Sequence, residues 1–223
     1  MLTKSQIWQD AFNNDIDLYH YADNDAIDNI LLVARFHGDE PEGEFCLRQL
    51  LAELEQNKWQ SPYNIYILPC LNPSGKKLFT RANGHGVDLN RNYPTENFSS
   101  VCVNPHVKEI SSGQPASEVE TKIMMNLIEN YNFKRILSIH SDLHLIDYDG
   151  PAKGLALKFS QICGYRLVDE IGYPTNGSFG TWAGIERKIP LLTVETWHAE
   201  NDDDMTKIYA ELKPAILDFC NLK

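Results

Sequence analysis

The sequence predicts an α/β fold, a mixed, mostly parallel central sheet flanked by helices. Three observations predict it. Short apolar runs alternate along the chain with amphipathic stretches of helical period. The runs are nearly continuous in Ile, Leu and Val, as in strands covered on both faces. Three of them end in histidine or carboxylate residues, at the edge where open α/β sheets bind ligands. With 223 residues, 43% hydrophobic and 23% charged, the chain has the makeup of one globular domain, residues 1–223.

The elements follow in order. Ile30–Phe36 (ILLVARF) reads as a buried strand. Pro41 opens a helix to Gln56, with Phe45, Leu47, Leu50, Leu51 and Leu54 at helical spacing. Tyr63–Leu71 is a second strand, stopped by Asn72-Pro73. Residues 72–116 are rich in Gly, Pro, Asn and Ser and lack a period; so long an irregular segment within a domain is usually functional. Ser117 and Glu120 have the spacing of a capping box, ahead of a helix with Ile123, Met124, Leu127 and Ile128 on one face. Arg135–Ile139 is a third strand, Gly154–Cys163 a helix, Pro190–Val194 a fourth strand and Met205–Phe219 a closing helix.

Lys and Arg number 20 against 31 Asp and Glu, a net charge of −11. That balance argues against a nucleic-acid partner and against an anionic membrane surface. No apolar run approaches the ~20 residues of a membrane-spanning helix. The N-terminus lacks the basic-then-apolar order of a signal peptide. The five cysteines, Cys46, Cys70, Cys102, Cys163 and Cys220, are scattered and form no CxxC pair. A cytoplasmic protein is the expectation. No feature of the sequence encodes an oligomeric state.

The strand ends carry the chemistry. His37 and Glu40 stand three residues apart at a strand-to-helix turn, where an imidazole and a carboxylate can meet one cation. His140, at the end of the third strand, can add a ligand. Two histidines, one glutamate and a water are a recurring catalytic zinc set. Metal-bound water loses a proton near neutrality, and the metal also polarises a carbonyl. Glu195 follows Leu191–Val194, a run that should be buried, so its carboxylate needs a partner or a function. At a strand end it can take a proton from water. Singly these residues are ordinary: HxxE arises by chance in loops, and a strand-end histidine is commonly just hydrogen-bonded. Between them lies RANGHGVDLNRN at 81–92, with two arginines in an acidic chain. Arginine binds carboxylates bidentately and stabilises oxyanions. On spacing alone, a polar loop tied down by its own Asn and Asp side chains is an equally good reading.

Together these segments resemble the M14 family of zinc carboxypeptidases. HGDE at 37–40, NPSG at 72–75, RANGHGVDLNRN at 81–92, IHSD at 139–142 and TVET at 193–196 occur in the family's order over about residues 30–200. The resemblance implies a mixed sheet of about eight strands flanked by helices. It implies one Zn²⁺ held by His37, Glu40 and His140, with Glu195 as general base. It implies that Arg81 stabilises the oxyanion on the scissile carbonyl. Asn90 and Arg91 match the pair that grips the free carboxylate of a small peptide substrate. Tyr173 stands near the place of the family's substrate-capping tyrosine, offset by about one residue.

HGDEPEG at 37–43, IDYDGPA at 146–152 and GYPTNGSFGTW at 172–182 are similar to the bacterial murein peptide amidase branch. Those enzymes cut the γ-D-glutamyl–diaminopimelate bond of cell-wall peptides. Polar residues near the expected crevice, among them Asp142, His144, Asp147, Asp149, Thr175, Asn176 and Ser178, suit the polar side chain of diaminopimelate. A general metallocarboxypeptidase and an N-acyl amino-acid deacylase are the rival enzymes. A deacylase is expected to lack the full GVDLNRN element. A catalytically silent zinc- or peptide-binding module is the rival of another class, and Glu195 speaks against it.

Overall fold

The computed structural model describes residues 1–22, 26–104 and 107–223, and of residues 102–110 no side chain is described. Cys102 therefore lies outside the described side chains; Cys46, Cys70, Cys163 and Cys220 are free thiols. Ten strands are described: β1 (Leu2–Gln9), β2 (Asp15–Tyr21), β3 (Asp28–Ala34), β4 (Tyr63–Leu68), β5 (Val101–Asn104), β6 (Val107–Ser111), β7 (Phe133–Ser141), β8 (Leu145–Asp149), β9 (Arg166–Leu167) and β10 (Leu191–Thr196). The α-helices are α1 (Pro41–Gln56), α2 (Pro73–Leu78), α3 (Val119–Tyr131), α4 (Lys153–Cys163) and α5 (Asp202–Phe219).

Eight strands make one sheet in the order β1-β2-β4-β3-β7-β10-β8-β9, and β5 and β6 form a separate hairpin. The central four strands run parallel, β4 to β3 to β7 to β10. Antiparallel pairs, β1 with β2, β2 with β4 and β10 with β8, flank them. The central strands are the apolar runs of the sequence, because both their faces are covered. On one face Ile30, Leu32, Ala34, Leu137 and Val194 pack with the apolar sides of α1, α4 and α5. On the other, Leu31, Val33, Ile136 and Leu191 pack with α3 and with Phe179 and Trp182. No described helix is long and apolar enough to cross a membrane.

Two expectations change. The capping box does not form: α3 starts at Val119 with Glu118 at the N-cap and no side-chain cap. Ser117 Oγ instead donates to Glu118 Oε1 at 2.7 Å and accepts from Asn92 Nδ2 at 3.0 Å. Glu120 is drawn inward to Asn83 Nδ2 at 3.3 Å, where burial raises its pKa. Long-range bonds to the 81–92 segment thus displace a local cap. The irregular stretch 72–116 also holds α2, a 3₁₀ turn at Leu89–Arg91 and the β5–β6 hairpin, all too short to leave a period.

Candidate active site

β3 ends one turn before the site. Arg35 has a positive φ of 55° and turns its guanidinium back on the following loop. Its Nε and Nη2 donate to the Gly38 carbonyl at 3.2 and 2.8 Å, and its Nη1 to Glu44 at 2.7 Å. The 36–39 turn is thereby clamped onto α1. Gly38 is required there, since a Cβ would lie 1.9 Å from the Gly75 carbonyl carbon. Asn72 joins the loops. Its Oδ1 caps α2 by accepting from the Gly75 N–H at 2.8 Å, and its Nδ2 donates to the Phe36 carbonyl at 3.0 Å. The NPSG segment therefore holds the turn that carries His37.

His37, Glu40 and His140 converge, all buried, with one ligand atom of each within 4.8 Å of the others. Glu40 Oε1 lies 2.6 Å from His37 Nδ1, and its Oε2 3.0 Å from His140 Nδ1. The other nitrogen of His37, Nε2, lies 3.1 Å from Asp88 Oδ1. A carboxylate there favours a proton on Nε2, which would leave Nδ1 as the nitrogen to ligate a metal ion. With a proton on Nδ1 the approach to Glu40 is a hydrogen bond; without it, two imidazoles and a carboxylate are a donor set that fits a divalent ion. Burial and Arg81 push the His37 pKa down, but the carboxylates of Glu40 and Asp88 outweigh them and raise it. Burial pushes the Glu40 pKa up, and His37 and His140 more than reverse this.

Glu195 sits on β10 directly across from His140 on β7. It is 8% exposed, and its Oε2 has no hydrogen-bond partner among the described residues. Burial, reinforced by the charge of Glu40, raises its pKa well above the carboxylate range. Arg81 donates from Nε to Asp88 Oδ2 at 2.9 Å, and its Nη1 stands 3.5 Å from Glu40 Oε1. Asp88 thus orients His37 and Arg81 together, while accepting from the Asn90 N–H at 2.9 Å. Asn90 Oδ1 accepts from the Phe179 N–H at 2.9 Å, and the Tyr93 N–H donates to the Gly177 carbonyl at 2.9 Å. These bonds pin 89–93 against 177–179. Gly177, with φ of 73°, admits the approach, since a Cβ would lie 2.2 Å from the Arg91 carbonyl oxygen.

A cavity of about 1000 Å³ opens over these groups, lined by His37, Glu40, Arg81, Asn90, Arg91, Tyr173 and Glu195. His140 is buried behind it, 3% exposed. The eight site residues expected from the sequence are therefore at one place. Tyr173 is half-buried at the cavity wall; burial raises its phenol pKa, with Glu195 adding to the rise and Arg91 and Arg81 opposing it. Sequence reasoning missed Asp88, Arg35 and Asn72 as positioning residues. The signal for Asp88 was its place inside GVDLNRN; nothing in the sequence marked Arg35.

An α/β sheet whose parallel strand ends bring two histidines, a glutamate and a further buried glutamate to one cavity has the site of a metallopeptidase. The chain belongs to the M14 zinc carboxypeptidase family, whose model matches residues 8–202. It is 34% identical over 194 residues to murein peptide amidase A of Vibrio campbellii, covering 80% of this chain and 73% of that protein. To murein peptide amidase A of Escherichia coli K12 it is 32% identical over 186 residues, 79% and 74% of the two chains. Among solved structures, murein-tripeptide amidase MpaA from Escherichia coli O157 matches with a TM-score of 0.78 and 26% identity, covering 93% of this chain and 89% of that one. Carboxypeptidase A from Helicoverpa armigera shares the fold, with a TM-score of 0.78 at 16% identity, over 97% and 66% of the chains.

Proposed function

We propose that this chain, as one catalytic domain over residues 1–223, is a zinc amidase of murein peptides. It hydrolyses the γ-D-glutamyl–diaminopimelate bond, an amide beside a residue with a free carboxylate. The observation that carries the reading is the gathering of His37, Glu40, His140, Glu195, Arg81, Asn90 and Arg91 at one cavity. The similarity to murein peptide amidases supports the substrate class. The free thiols fit a reducing compartment, and we place the enzyme in the cytoplasm.

In this reading His37, Glu40 and His140 hold one Zn²⁺. When bound, zinc supplies Lewis-acid polarisation of the scissile carbonyl and eases deprotonation of water. Asn90 and Arg91 grip the terminal carboxylate and so set the bond over the site. Glu195 accepts the proton of the attacking water and delivers it to the amide nitrogen, which leaves as an amine. Its Oε2, with no hydrogen-bond partner among the described residues, is available for that transfer. Arg81 donates to the oxygen that becomes negative in the tetrahedral state, held in place by Asp88. Tyr173 closes over the bound residue from the wall.

The test is a side-by-side measurement on the zinc-loaded protein. L-Ala-γ-D-Glu-diaminopimelate should exceed C-terminal Leu or Phe peptides and N-acyl amino acids in kcat/KM by ~10-fold or more, as expected of a site that hydrogen-bonds its substrate. A preference for Leu or Phe peptides would return the enzyme to a general carboxypeptidase.

Two further outcomes are expected. Arg81→Ala should mainly lower kcat, because its target charge develops only in the transition state. Arg91→Ala should mainly raise KM, because it holds a carboxylate present throughout. Equal cleavage of an amidated and a free-acid substrate would contradict the role of Asn90 and Arg91. Asp88→Asn should weaken zinc binding by ~10–100-fold, the usual cost of losing a residue that orients a ligand histidine. Competition with a chromophoric chelator measures it, and an unchanged affinity would remove Asp88 from that role.

A further inference from the structure

The opposite end of the sheet carries a second cavity. Arg135 lies near the start of β7, roughly 16 Å back along the strand from His140. Alternation along the strand puts it on the face of Leu137 and Ile139, which pack with α1, α4 and α5. A cavity of about 210 Å³ opens there, and Arg135, Tyr63, Lys158, Asp218, Phe219 and Asn221 line it. None of the residues placed in the hydrolytic site reaches it.

The guanidinium of Arg135 is held in place without being hydrogen-bonded. Its Cζ stands 4.4 Å from the ring centroid of Tyr63 and 4.7 Å from that of Phe219. Aromatic faces attract a cation, but they offer no oxygen to its five N–H donors. Among the described residues it makes no hydrogen bond and no ion pair. Its Nε is shut off from solvent as well as unpartnered, an expense that an outward swing of the side chain would relieve. The rings hold it inward all the same. Nη1 and Nη2 do not share that enclosure, and they too have no protein acceptor. Lys158 Nζ and Asp218 Oδ1 meet at 2.6 Å and cancel each other's charge, so Arg135 is the net charge of the cavity wall. With 31 acidic residues against 20 basic ones the chain has carboxylates to spare, yet none is paired with Arg135. The side-chain amide of Asn221 likewise has no partner among the described residues.

We infer that this second cavity is a binding site for an oxyanion, the carboxylate or phosphate group of a small molecule, taken by Nη1 and Nη2 of Arg135. A guanidinium fork presents two parallel N–H groups, which match two oxygens of either group. Here the fork is already oriented by Tyr63 and Phe219, so binding costs little side-chain freedom. Lys158 Nζ and the Asn221 amide, which line the same cavity, are the further donors. The volume is below the ~300 Å³ at which pockets for drug-sized ligands begin, so the site takes one anionic group and not a whole nucleotide. The inference is independent of the hydrolytic reading, since it uses none of the same residues.

Titration of the zinc-loaded protein with inorganic phosphate, and separately with acetate, tests this at an ionic strength held constant with chloride. The readout is the nitrogen–proton correlation signal of the Arg135 Nε–H, assigned by its loss in Arg135→Lys. Its enclosure slows exchange with water and keeps the signal visible. The signal should move saturably, with a Kd of ~1 mM or tighter for at least one of the two anions. Anions captured at the metal ligands would move other signals and leave this one in place. Tighter binding of phosphate assigns the site to a phosphate ester, and tighter binding of acetate to a carboxylate. In Arg135→Lys, which keeps the charge and loses the fork, and in Arg135→Met, the Asn221 side-chain amide is the readout. Affinity should fall ~10-fold or more in the first, as expected from losing a charge-assisted hydrogen bond, and further in the second. A wild-type Nε–H signal that does not move, or drifts linearly as it does with chloride, overturns the inference. So does an Asn221 titration unchanged in Arg135→Met. The wild-type titration decides by itself where a variant folds poorly.

Discussion

Glu195→Gln should lower kcat by ~10²–10⁴-fold, the usual contribution of a positioned base, while zinc content and melting temperature stay near wild type. The separation of activity from stability follows from the geometry. Glu195 Oε2 has no hydrogen-bond partner among the described residues, so glutamine of the same shape breaks no bond there. It does remove a charge that burial and Glu40 both oppose. The melting temperature of the metal-free variant should therefore not fall. Single-turnover rates, metal analysis and thermal unfolding on one preparation check the three parts. Turnover close to wild type would show that another group moves the proton.

His37→Ala and His140→Ala should each strip the zinc. The loss should exceed the ~10–100-fold expected for Asp88→Asn, because a ligand is removed and not merely left unoriented. His37→Ala should be the more damaging to the fold. His37 spans Glu40 and Asp88, so its removal leaves two buried carboxylates facing an empty space. Among the described residues the His140 ring nitrogens meet only Glu40, and its ring stacks on Phe36 with centroids 5.3 Å apart. Metal stoichiometry after dialysis, and unfolding of the metal-free forms, measure the two effects. Full occupancy in either variant would exclude that residue as a ligand.

The pattern of residues foretold some elements better than others. α1, α3, α4 and α5 carry apolar stripes and were legible; α1 has the expected bounds, and the starts of the other three differ by one to three residues. β3, β4, β7 and β10 were legible because burial on both faces leaves an unbroken apolar run. β1 and β2 were not. β1 is the sheet's edge, and its LTKSQIWQ sequence is largely exposed. β9 spans only two residues, too few for any pattern. β8 reads LIDYD, and its outward carboxylates broke the apolar signal. A strand face turned to a cavity looks like a loop in sequence, which is why the aspartates of β8 stood there only as members of a polar group.

The sequence by itself determined the chemistry at each strand end. His37, Glu40, His140 and Glu195 follow core runs, and GVDLNRN carries its own identity. Each of these signals is local: every spacing and motif segment lies within a dozen residues. Only the tertiary structure decided which of them meet. Glu40 and His140, 100 residues apart, touch because β3 and β7 pair in parallel and end at the same edge. Asp88 became the common partner of His37 and Arg81 only when the 81–92 segment packed over the turn after β3. Asp147 and Asp149 became cavity groups because β8 pairs antiparallel with β10, which turns them to the face of Glu195. Register and pairing are long-range properties; hydrophobic periodicity reports which residues are buried, and is silent on what they are buried against.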